Sequence, residues 1–392
     1  MTVAGHDIPF NRPYTTGREL DAIAEAIKRG HLSADGTFSQ DCRSWLETEL
    51  GCPMALIVHS CTAALELSAL LLDVGTGDEV IMPSYTFVTT ATAFALRGAT
   101  PVFVDIRPDT LNLDETLLEG ALTERTKAIV PVHYAGVACE MGAIRQLADA
   151  YSIPIVEDAA QGICASYAGR PLGTVGALGA ISFHETKNVV CGQGGALVVN
   201  DERLMERAEV LRDKGTNRSS FYRGQVSKYT WVDLGSSYAL SDLAASFLWP
   251  QLQDSAAITA RRMELWTLYH DGFAAAEQAG LVRRPVIPEQ CRHNAHMYYL
   301  LLPDGRSRDQ LLAELDARGI NAVFHYIPLH SSPAGRRYGR AHGRLAVTDD
   351  VSRRLVRLPL WGGMTTVQID RVIDAVTDAL AKSLRRVSAT TT

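Results

Sequence analysis

Short β-branched apolar runs alternate with helix-length segments between residues 54 and 200, and this alternation constrains the fold most strongly. The runs are MALIV (54–58), EVIM (79–82), PVFVD (101–105), KAIVPV (127–132), IPIVED (153–158), AISF (180–183) and GALVVN (195–200). Strands that are apolar along their whole length lie in a sheet covered on both faces, and intervening helices make such a sheet mainly parallel. The pattern predicts an α/β fold with a mainly parallel central sheet.

The spacing changes after Asp158. A glycine-rich stretch from Gly162 to Gly179 leads to the next run, and further glycines, including Gly192, separate the last two runs. Glycine clusters of this kind mark turns rather than helices. We therefore expect direct strand-to-strand connections in this part of the sheet.

The C-terminal part has a different pattern. Helices are predicted at 201–214, 242–280, 307–319, near 347–356 and at 366–386, strands at 296–302 and 320–327, and a loop at 215–238. This pattern is typical of a smaller α+β domain reached through a long linking helix. We predict an N-terminal segment (1–40) that spans the lobes, a large α/β domain (41–250), and a linking helix with a small C-terminal α+β domain (251–392).

Composition narrows the class of protein. The chain has 38 Lys and Arg against 44 Asp and Glu, a net charge of −6, which argues against a nucleic-acid partner. It has no N-terminal apolar segment and no apolar run long enough to cross a membrane. Its 7 cysteines include no C-x-x-C pair, so no structural metal site is indicated. We expect a cytoplasmic protein without a metal.

Two residues near strand ends carry candidate chemistry. Lys187 follows the run at 180–183, where partial desolvation lowers the pKa of an amine and permits a Schiff base with a carbonyl. Asp158 closes the run IPIVED, at the sheet edge where α/β proteins bind ligands. Taken singly, Lys187 could be a surface charge and Asp158 a helix cap.

A third element is Ser60-Cys61-Thr62, which follows the first run and opens a predicted helix. Hydroxyls and free N–H groups at a helix N-terminus form an anion site, although an ordinary N-cap has the same sequence. A lysine, a carboxylate and a phosphate cradle together match the needs of pyridoxal 5′-phosphate (PLP), an aldehyde with a pyridine nitrogen and a phosphate.

Several segments resemble a known family. They are HSCTAALELSALLL, GDEVIMPSYTFVTTATAF, PVFVDIRPDTLNLD, AIVPVHYAGVACEM, VEDAAQG and SFHETKN. The chain resembles the PLP-dependent sugar aminotransferases of the DegT/DnrJ/EryC1/StrS family. Within it the chain is most similar to the branch that makes dTDP-4-amino-4,6-dideoxygalactose for enterobacterial common antigen. The resemblance implies the type I (aspartate aminotransferase-like) fold and a homodimer with shared active sites.

The resemblance also implies roles for individual residues. Lys187 is the Schiff-base lysine and proton shuttle, Asp158 the partner of the pyridine nitrogen, and Gln161 a neighbour of the ring's phenolic oxygen. Phe87 stacks on the ring, unless it is a core residue. Phosphate contacts are assigned to Cys61 (through its backbone N–H), Thr62, Ser182 and, across the subunits, Ser237 or Ser236, where many members have Asn.

Candidate substrate residues are basic or polar and come from three segments. They are His184, beside Lys187; Lys214, Arg218, Arg223 and Lys228 in the 214–231 loop; and His325, Tyr326 and His330 in FHYIPLH. Arginine suits a diphosphate, whereas each residue alone could be a solvated or packed side chain.

The resemblance implies an aminotransferase that moves an amino group from L-glutamate to C4 of a nucleotide-linked 4-keto-6-deoxyhexose. The glutamate leaves as 2-oxoglutarate, and pyridoxamine 5′-phosphate is the intermediate form of the cofactor. Three alternatives stay open: a C3 aminotransferase, a PLP-dependent sugar dehydratase, and a non-catalytic sugar-nucleotide binder. The dehydratases of the group lack the Schiff-base lysine, so Lys187 argues against that alternative.

Overall fold

The computed structural model describes residues 6–390, with side chains described as far as residue 382. The first half contains, in order, α1 (Glu19–Arg29), α2 (Thr37–Leu50), β1 (Met54–Val58), α3 (Cys61–Leu71), β2 (Glu79–Pro83), α4 (Val88–Ala95), β3 (Thr100–Val104), α5 (Leu118–Ala121), β4 (Thr126–Ile129), α6 (Met141–Tyr151), β5 (Val156–Ala159), β6 (Ser166–Tyr167), β7 (Arg170–Pro171), β8 (Leu178–Ser182) and β9 (Gly195–Val199).

The second half is mainly helical. It contains α7 (Met205–Arg212), α8 (Arg218–Tyr222), α9 (Asp242–Gln253), α10 (Ser255–Gly272), α11 (Ala274–Gln278), β10 (Cys291–Arg292), β11 (Tyr298–Leu301), α12 (Gly305–Asp316), α13 (Pro333–Tyr338), β12 (Arg340–Ala341), α14 (Ala346–Arg354), β13 (Leu355–Leu358) and α15 (Thr366–Thr390).

The central sheet has the strand order β1-β9-β8-β5-β4-β2-β3-β12, with β5 joined to β4 by isolated parallel bridges. Strand β9 is antiparallel to both neighbours, and the other pairings are parallel. The predicted α/β class and mainly parallel sheet are confirmed. The predicted direct connections also appear: β8 leads straight into β9, and the β6–β7 hairpin stands in place of a helix between β5 and β8.

A separate apolar core lies in the C-terminal part. It is built from α10, α12, α15 and the antiparallel pair β11–β13, with buried residues such as Tyr269, Tyr298 and Leu315. The larger core surrounds the central sheet and α3. The cavity described below lies where these two parts of the chain meet.

The predicted helix at 242–280 is wrong as one element. It consists of α9, α10 and α11, with Asp254 and Phe273 between them. Pro250 lies within α9, and proline removes one helical hydrogen bond just before the first interruption. The stretch at 215–238, expected to be a loop, contains the short helix α8.

The predicted strand at 320–327 is also wrong. This segment makes only isolated pairings, Ile320 with Ile8 and Val323 with Arg357. Tyr326 has a φ of 39°, which no regular strand accommodates. The strand of this region is instead β13, which follows α14 directly and pairs with β11, so the helix predicted near 347–356 ends too late.

The proposed domain boundaries fall inside helices. Residue 40 lies within α2 and residue 250 within α9. The N-terminal segment contacts both parts of the chain: Ile8 pairs with Ile320, whereas α1 packs on α9. Residues 1–5 of this segment lie outside the described residues. The three-part division therefore stays a proposal.

Candidate active site

A cavity of about 780 Å³ opens at the carboxyl ends of the parallel strands. The turns after β1, β2, β5 and β8 form one side of it. The N-terminal residues Phe10 and Asn11 and the C-terminal segments 321–326 and 357–360 form the other side. The carboxyl ends of β1, β2, β5 and β8 meet here because these four strands run in the same direction, and ligands of α/β sheets bind at this edge.

Most of the site residues expected from the sequence line this cavity. They are Cys61, Thr62, Phe87, Asp158, Gln161, Ser182, His184, Lys187, His325 and Tyr326. These residues come from five separate segments of the chain, and the strand order brings them together.

The Lys187 side chain is enclosed in the cavity. Burial lowers the pKa of its amine, although the nearby Cys61 and Asp158 act in the opposite direction. No carboxylate of the described chain forms an ion pair with it. A neutral amine is the form that attacks a carbonyl, so the site favours Schiff-base formation at Lys187.

The Asp158 carboxylate is buried and held at both oxygens. Its Oδ1 accepts a hydrogen bond from the Ala160 N–H at 3.1 Å, and its Oδ2 accepts one from the Thr90 hydroxyl at 2.7 Å. The residue before it, Glu157, points to the other side of β5 and is bound by His133 and by the backbone N–H groups of 173, 175 and 176. Asp158 is therefore the carboxylate of β5 that faces the cavity.

The N-terminus of α3 also faces the cavity. Ser60 is the N-cap, and its hydroxyl accepts from the Ala63 N–H at 3.1 Å. The Cys61 and Thr62 N–H groups have no acceptor within residues 6–390, so they are available to an anion. Burial raises the pKa of the Cys61 thiol well above its ordinary value, so the thiol adds no negative charge beside a bound anion. A Cβ at Gly195 would meet Cys61 N at 2.5 Å, so the backbones approach closely here.

Gln161 and Tyr326 form a polar pair. Gln161 accepts a hydrogen bond from the Ala135 N–H at 2.7 Å and donates one to the Tyr326 hydroxyl at 3.0 Å. Tyr326 stacks on His325, with 3.6 Å between ring centroids. His325 Nδ1 forms a hydrogen bond with the Tyr134 hydroxyl at 2.7 Å, so the side chains on this side of the cavity are fixed by their neighbours.

The other candidates lie outside the cavity of their own chain: Lys214, Arg218, Arg223, Lys228, Ser236, Ser237 and His330. Arg223 makes a bidentate ion pair with Glu209, at 2.7 and 3.0 Å. Ser237 is exposed and pairs with Asp213. His330 lies against the Ser84 hydroxyl at 2.7 Å. The roles of Arg223 and Ser237 across a subunit interface stay predictions.

Sequence reasoning missed Arg357 and His296, which both line the cavity. The Arg357 Nε atom is inaccessible to solvent and has no hydrogen-bond partner, and its guanidinium lies 4.6 Å from the centre of the Phe10 ring. Within the described chain no carboxylate pairs with it. Burial lowers the pKa of Arg357 and also that of His296. The signal for Arg357 was a lone arginine in the apolar run LVRLPL.

The sequence profile of the DegT/DnrJ/EryC1/StrS aminotransferase family matches residues 13–377. The chain belongs to this family. The aminotransferase TlmJ of Streptoalloteichus hindustanus is 32% identical over 96% of this chain and 100% of its own, with a TM-score of 0.88. DesV of S. venezuelae, solved with a ketimine intermediate, is 34% identical over 93% of this chain and 94% of its own (TM-score 0.84).

A third similar structure is the putative sugar aminotransferase Spr1654 of Streptococcus pneumoniae. Its PMP-form is 27% identical over 96% of this chain and 100% of its own, with a TM-score of 0.89, and a PLP-form is also known. As a DegT/DnrJ/EryC1/StrS aminotransferase, the chain has the type I fold and uses pyridoxal 5′-phosphate.

The residues of this aminotransferase fit the cofactor. The Lys187 amine, whose pKa burial lowers, suits the aldehyde, the Asp158 carboxylate suits the pyridine nitrogen, and the N–H groups of Cys61 and Thr62 suit the phosphate. In the described part of the chain, no helix is both long and apolar enough to cross a bilayer. The side chains described, those of residues 6–382, include no group of three His, Cys, Asp or Glu suited to a metal ion.

Proposed function

We propose that this aminotransferase moves the amino group of L-glutamate to C4 of a dTDP-linked 4-keto-6-deoxyhexose. The observation that carries the transfer is the Lys187 amine, which lines the cavity at the sheet edge beside Asp158 and whose pKa is lowered by desolvation. A sugar acceptor is supported by the similarity to Spr1654, whose description is a putative sugar aminotransferase. Position C4 is supported by the segments HETKN and FHYIPLH, which resemble the C4 branch.

Each residue around the cofactor has a separate task. Bound PLP supplies an aldehyde and an electron-withdrawing ring that stabilises negative charge on the carbon beside the amine nitrogen. Lys187 takes the proton from that carbon and returns it at the neighbouring position, and the lowering of its pKa by burial favours this role. Asp158 holds the proton on the pyridine nitrogen, and Gln161 donates toward the phenolic oxygen.

The remaining cofactor contacts hold the ring and the phosphate. Cys61 and Thr62 at the start of α3, with Ser182 at the end of β8, bind the phosphate. Phe87 is 56% exposed in the single chain, which disfavours a core role and leaves its ring free to stack on the pyridine. We propose that His184, His325 and Tyr326, which line the same cavity, contact the sugar.

Arg357 suits the carboxylate of the amino donor. It is a guanidinium in the same cavity as Lys187, without an acid partner in the described chain, and its Nε is unbonded. An arginine binds a carboxylate through two parallel N–H bonds and is left unsatisfied without one. We therefore assign the donor's α-carboxylate to Arg357.

The active form is proposed to be a homodimer. The stretch from α8 to the start of α9 exposes large apolar side chains, among them Tyr222 and Trp231, each 73% exposed, and Leu234 at 56%. A cluster of exposed apolar side chains of this size marks an interaction surface. A second copy of the chain would cover it and bring Ser237 toward the neighbouring phosphate. We also propose a cytoplasmic location, which the seven free cysteines support.

The decisive experiment is to incubate the enzyme with dTDP-4-keto-6-deoxyglucose and L-glutamate and to identify the products by NMR. We expect 2-oxoglutarate and a 4-amino-4,6-dideoxy sugar nucleotide, with none from the Lys187→Ala control. Amination only of the 3-keto isomer would favour the C3 aminotransferase. Loss of a hydroxyl without amination would favour the dehydratase, and binding without turnover would favour the non-catalytic binder.

A further inference from the structure

A chain of two hydroxyls leads to the Asp158 carboxylate. The Thr90 hydroxyl donates to Asp158 Oδ2 at 2.7 Å, and the Thr86 hydroxyl lies 2.9 Å from that of Thr90. All three side chains are buried: Thr86 is 2% exposed, Thr90 0% and Asp158 4%. Nothing in the cofactor assignments above uses either threonine.

The direction of this chain follows from the donor inventory. An ionised carboxylate only accepts, and a hydroxyl has a single proton to give. The Thr90 hydroxyl therefore donates its one hydrogen bond to Asp158, and the Thr90 oxygen accepts a hydrogen bond from the Thr86 hydroxyl. Because hydrogen bonds in series polarise one another, Thr86 strengthens the bond that Thr90 makes.

Thr90 occupies an unusual position for such a donor. It lies in the first turn of α4, where a threonine hydroxyl usually bonds to its own helix or to water. Here the hydroxyl instead reaches β5, and the partner is 68 residues away in sequence. Asp158 Oδ1 is held separately by the Ala160 N–H, so the two oxygens are fixed from two different elements.

We propose that Thr90, supported by Thr86, is a positioning residue that keeps Asp158 ionised and aimed at the pyridine nitrogen of the cofactor. This inference rests on the proposed role of Asp158. The reversed chain, in which a protonated Asp158 donates to Thr90, would leave the pyridine nitrogen without a negative partner. Thr90 and the Ala160 N–H together favour the ionised arrangement, since each donates to one carboxylate oxygen.

The same segment links two of the cofactor contacts. Thr86, Phe87 and Thr90 lie at the end of β2 and the start of α4, so one turn of the chain provides both the proposed stacking ring and the support of Asp158. A shift of this turn would therefore disturb two contacts together: the stacking of Phe87 on the face of the ring and the contact of Asp158 with the pyridine nitrogen at its edge. The hydroxyl chain thus also fixes the turn against β5.

The test compares four variants of the cofactor-loaded enzyme. Thr90→Val keeps the shape and removes the hydroxyl, Thr90→Ser keeps the hydroxyl, and Thr86→Val removes only the second link. Thr92→Val is the control, because Thr92 lies on the exposed face of the same helix. Two readouts are taken: the ¹⁵N resonance of cofactor labelled at the pyridine nitrogen, and the single-turnover rate of pyridoxamine formation with glutamate.

We expect Thr90→Val to shift the ¹⁵N resonance toward that of an unprotonated pyridine and to slow the half-reaction by about 10- to 100-fold. Thr86→Val should give a smaller change of the same sign, whereas Thr90→Ser and Thr92→Val should match the wild type. If Thr90→Val does not retain the cofactor, Thr86→Val decides the question through the same resonance.

Two results would overturn the inference. One is an unchanged ¹⁵N resonance in Thr90→Val, or in Thr86→Val where that variant decides. The other is a Thr90→Ser variant as impaired as Thr90→Val, since packing of the methyl group would then carry the effect. Failure of the wild type to react with glutamate would instead contradict the proposed function, and the resonance of the bound cofactor would still test the role of Thr90.

Discussion

Replacing Arg357 by methionine should weaken the use of glutamate and at the same time stabilise the folded protein. A guanidinium holds a carboxylate through two charge-assisted hydrogen bonds, each contributing about 1.5 kcal/mol, so their loss removes about 3 kcal/mol. That value corresponds to a fall of about 150-fold in kcat/KM for glutamate. The fall should lie in kcat as well as in KM, because the α-carboxylate is attached to the carbon whose C–H bond breaks, so its contact with Arg357 also orients that bond.

The stability change has the opposite sign. The unbonded, inaccessible Nε of Arg357 destabilises the folded state by about 2 kcal/mol, whereas the contact of its guanidinium with the Phe10 ring stabilises it by about 0.5–1 kcal/mol. Methionine has a similar length and no polar atom that needs a partner. We therefore expect the free energy of unfolding of cofactor-free Arg357→Met to rise by about 1 kcal/mol.

The assays are steady-state kinetics with varied glutamate and urea unfolding of the cofactor-free protein at one fixed concentration. Arg353→Met is the matched control, since Arg353 is exposed on α14 and should change neither quantity. An unchanged kcat/KM for glutamate would refute the assignment of the carboxylate to Arg357. A fall in stability would show that the guanidinium is structural, and a loss confined to the sugar half-reaction would assign it to the diphosphate.

Three further replacements test the rest of the site. Lys187→Ala should lower turnover by about 10⁴-fold while the protein still retains cofactor noncovalently, as measured by absorbance after gel filtration; near-normal turnover would exclude Lys187 as the proton shuttle. Asp158→Asn should slow pyridoxamine formation with glutamate alone by about tenfold or more in stopped-flow absorbance, and an unchanged rate would make Asp158 structural. Burial alone would raise the pKa of Glu157, but hydrogen bonds from His133 and the backbone lower this pKa below its ordinary value of 4.5. The ionised Glu157 therefore stabilises the fold above pH 4.5, and this contribution is lost as the pH falls through the lowered pKa. Glu157→Gln should therefore cost about 3 kcal/mol at pH 7 and flatten the fall in stability on acidification, measured by urea unfolding between pH 7 and 3; a pH profile parallel to that of the wild type would contradict this.

The part of the site that could be predicted from the sequence is the part set by strand ends. Asp158, Lys187 and Cys61 each follow an apolar run, and parallel strands bring such positions to one edge. Arg357 could not be found in this way, because its strand β13 forms only through pairing with β11, and the local sequence favours a continuation of α14. The lack of an acid partner for Arg357 in the described chain likewise becomes visible only once the side chains around the cavity are packed.

The role of Thr90, unlike the presence of Arg357 in an apolar run, had no local signal in the sequence. A threonine within VTTATAF looks like any other residue of a short helix, and only the folded chain brings its hydroxyl to Asp158. The interruption of the predicted helix at Asp254 could be predicted only in part. Pro250 was visible in the sequence, but the helical pattern on both sides of it concealed the interruption.

The pairing of Ile8 with Ile320 has a consequence for synthesis of the chain in the cell. Residues near the N-terminus leave the ribosome first, yet the backbone partners of Ile8, Gly319 and Asn321, are made more than three hundred residues later. At ordinary rates of translation this delay lasts roughly 15–60 s. Phe10, which covers Arg357, reaches its place only after that delay. The active site is therefore completed near the end of synthesis, and a nascent chain that stalls before residue 320 should fail to enclose the cofactor.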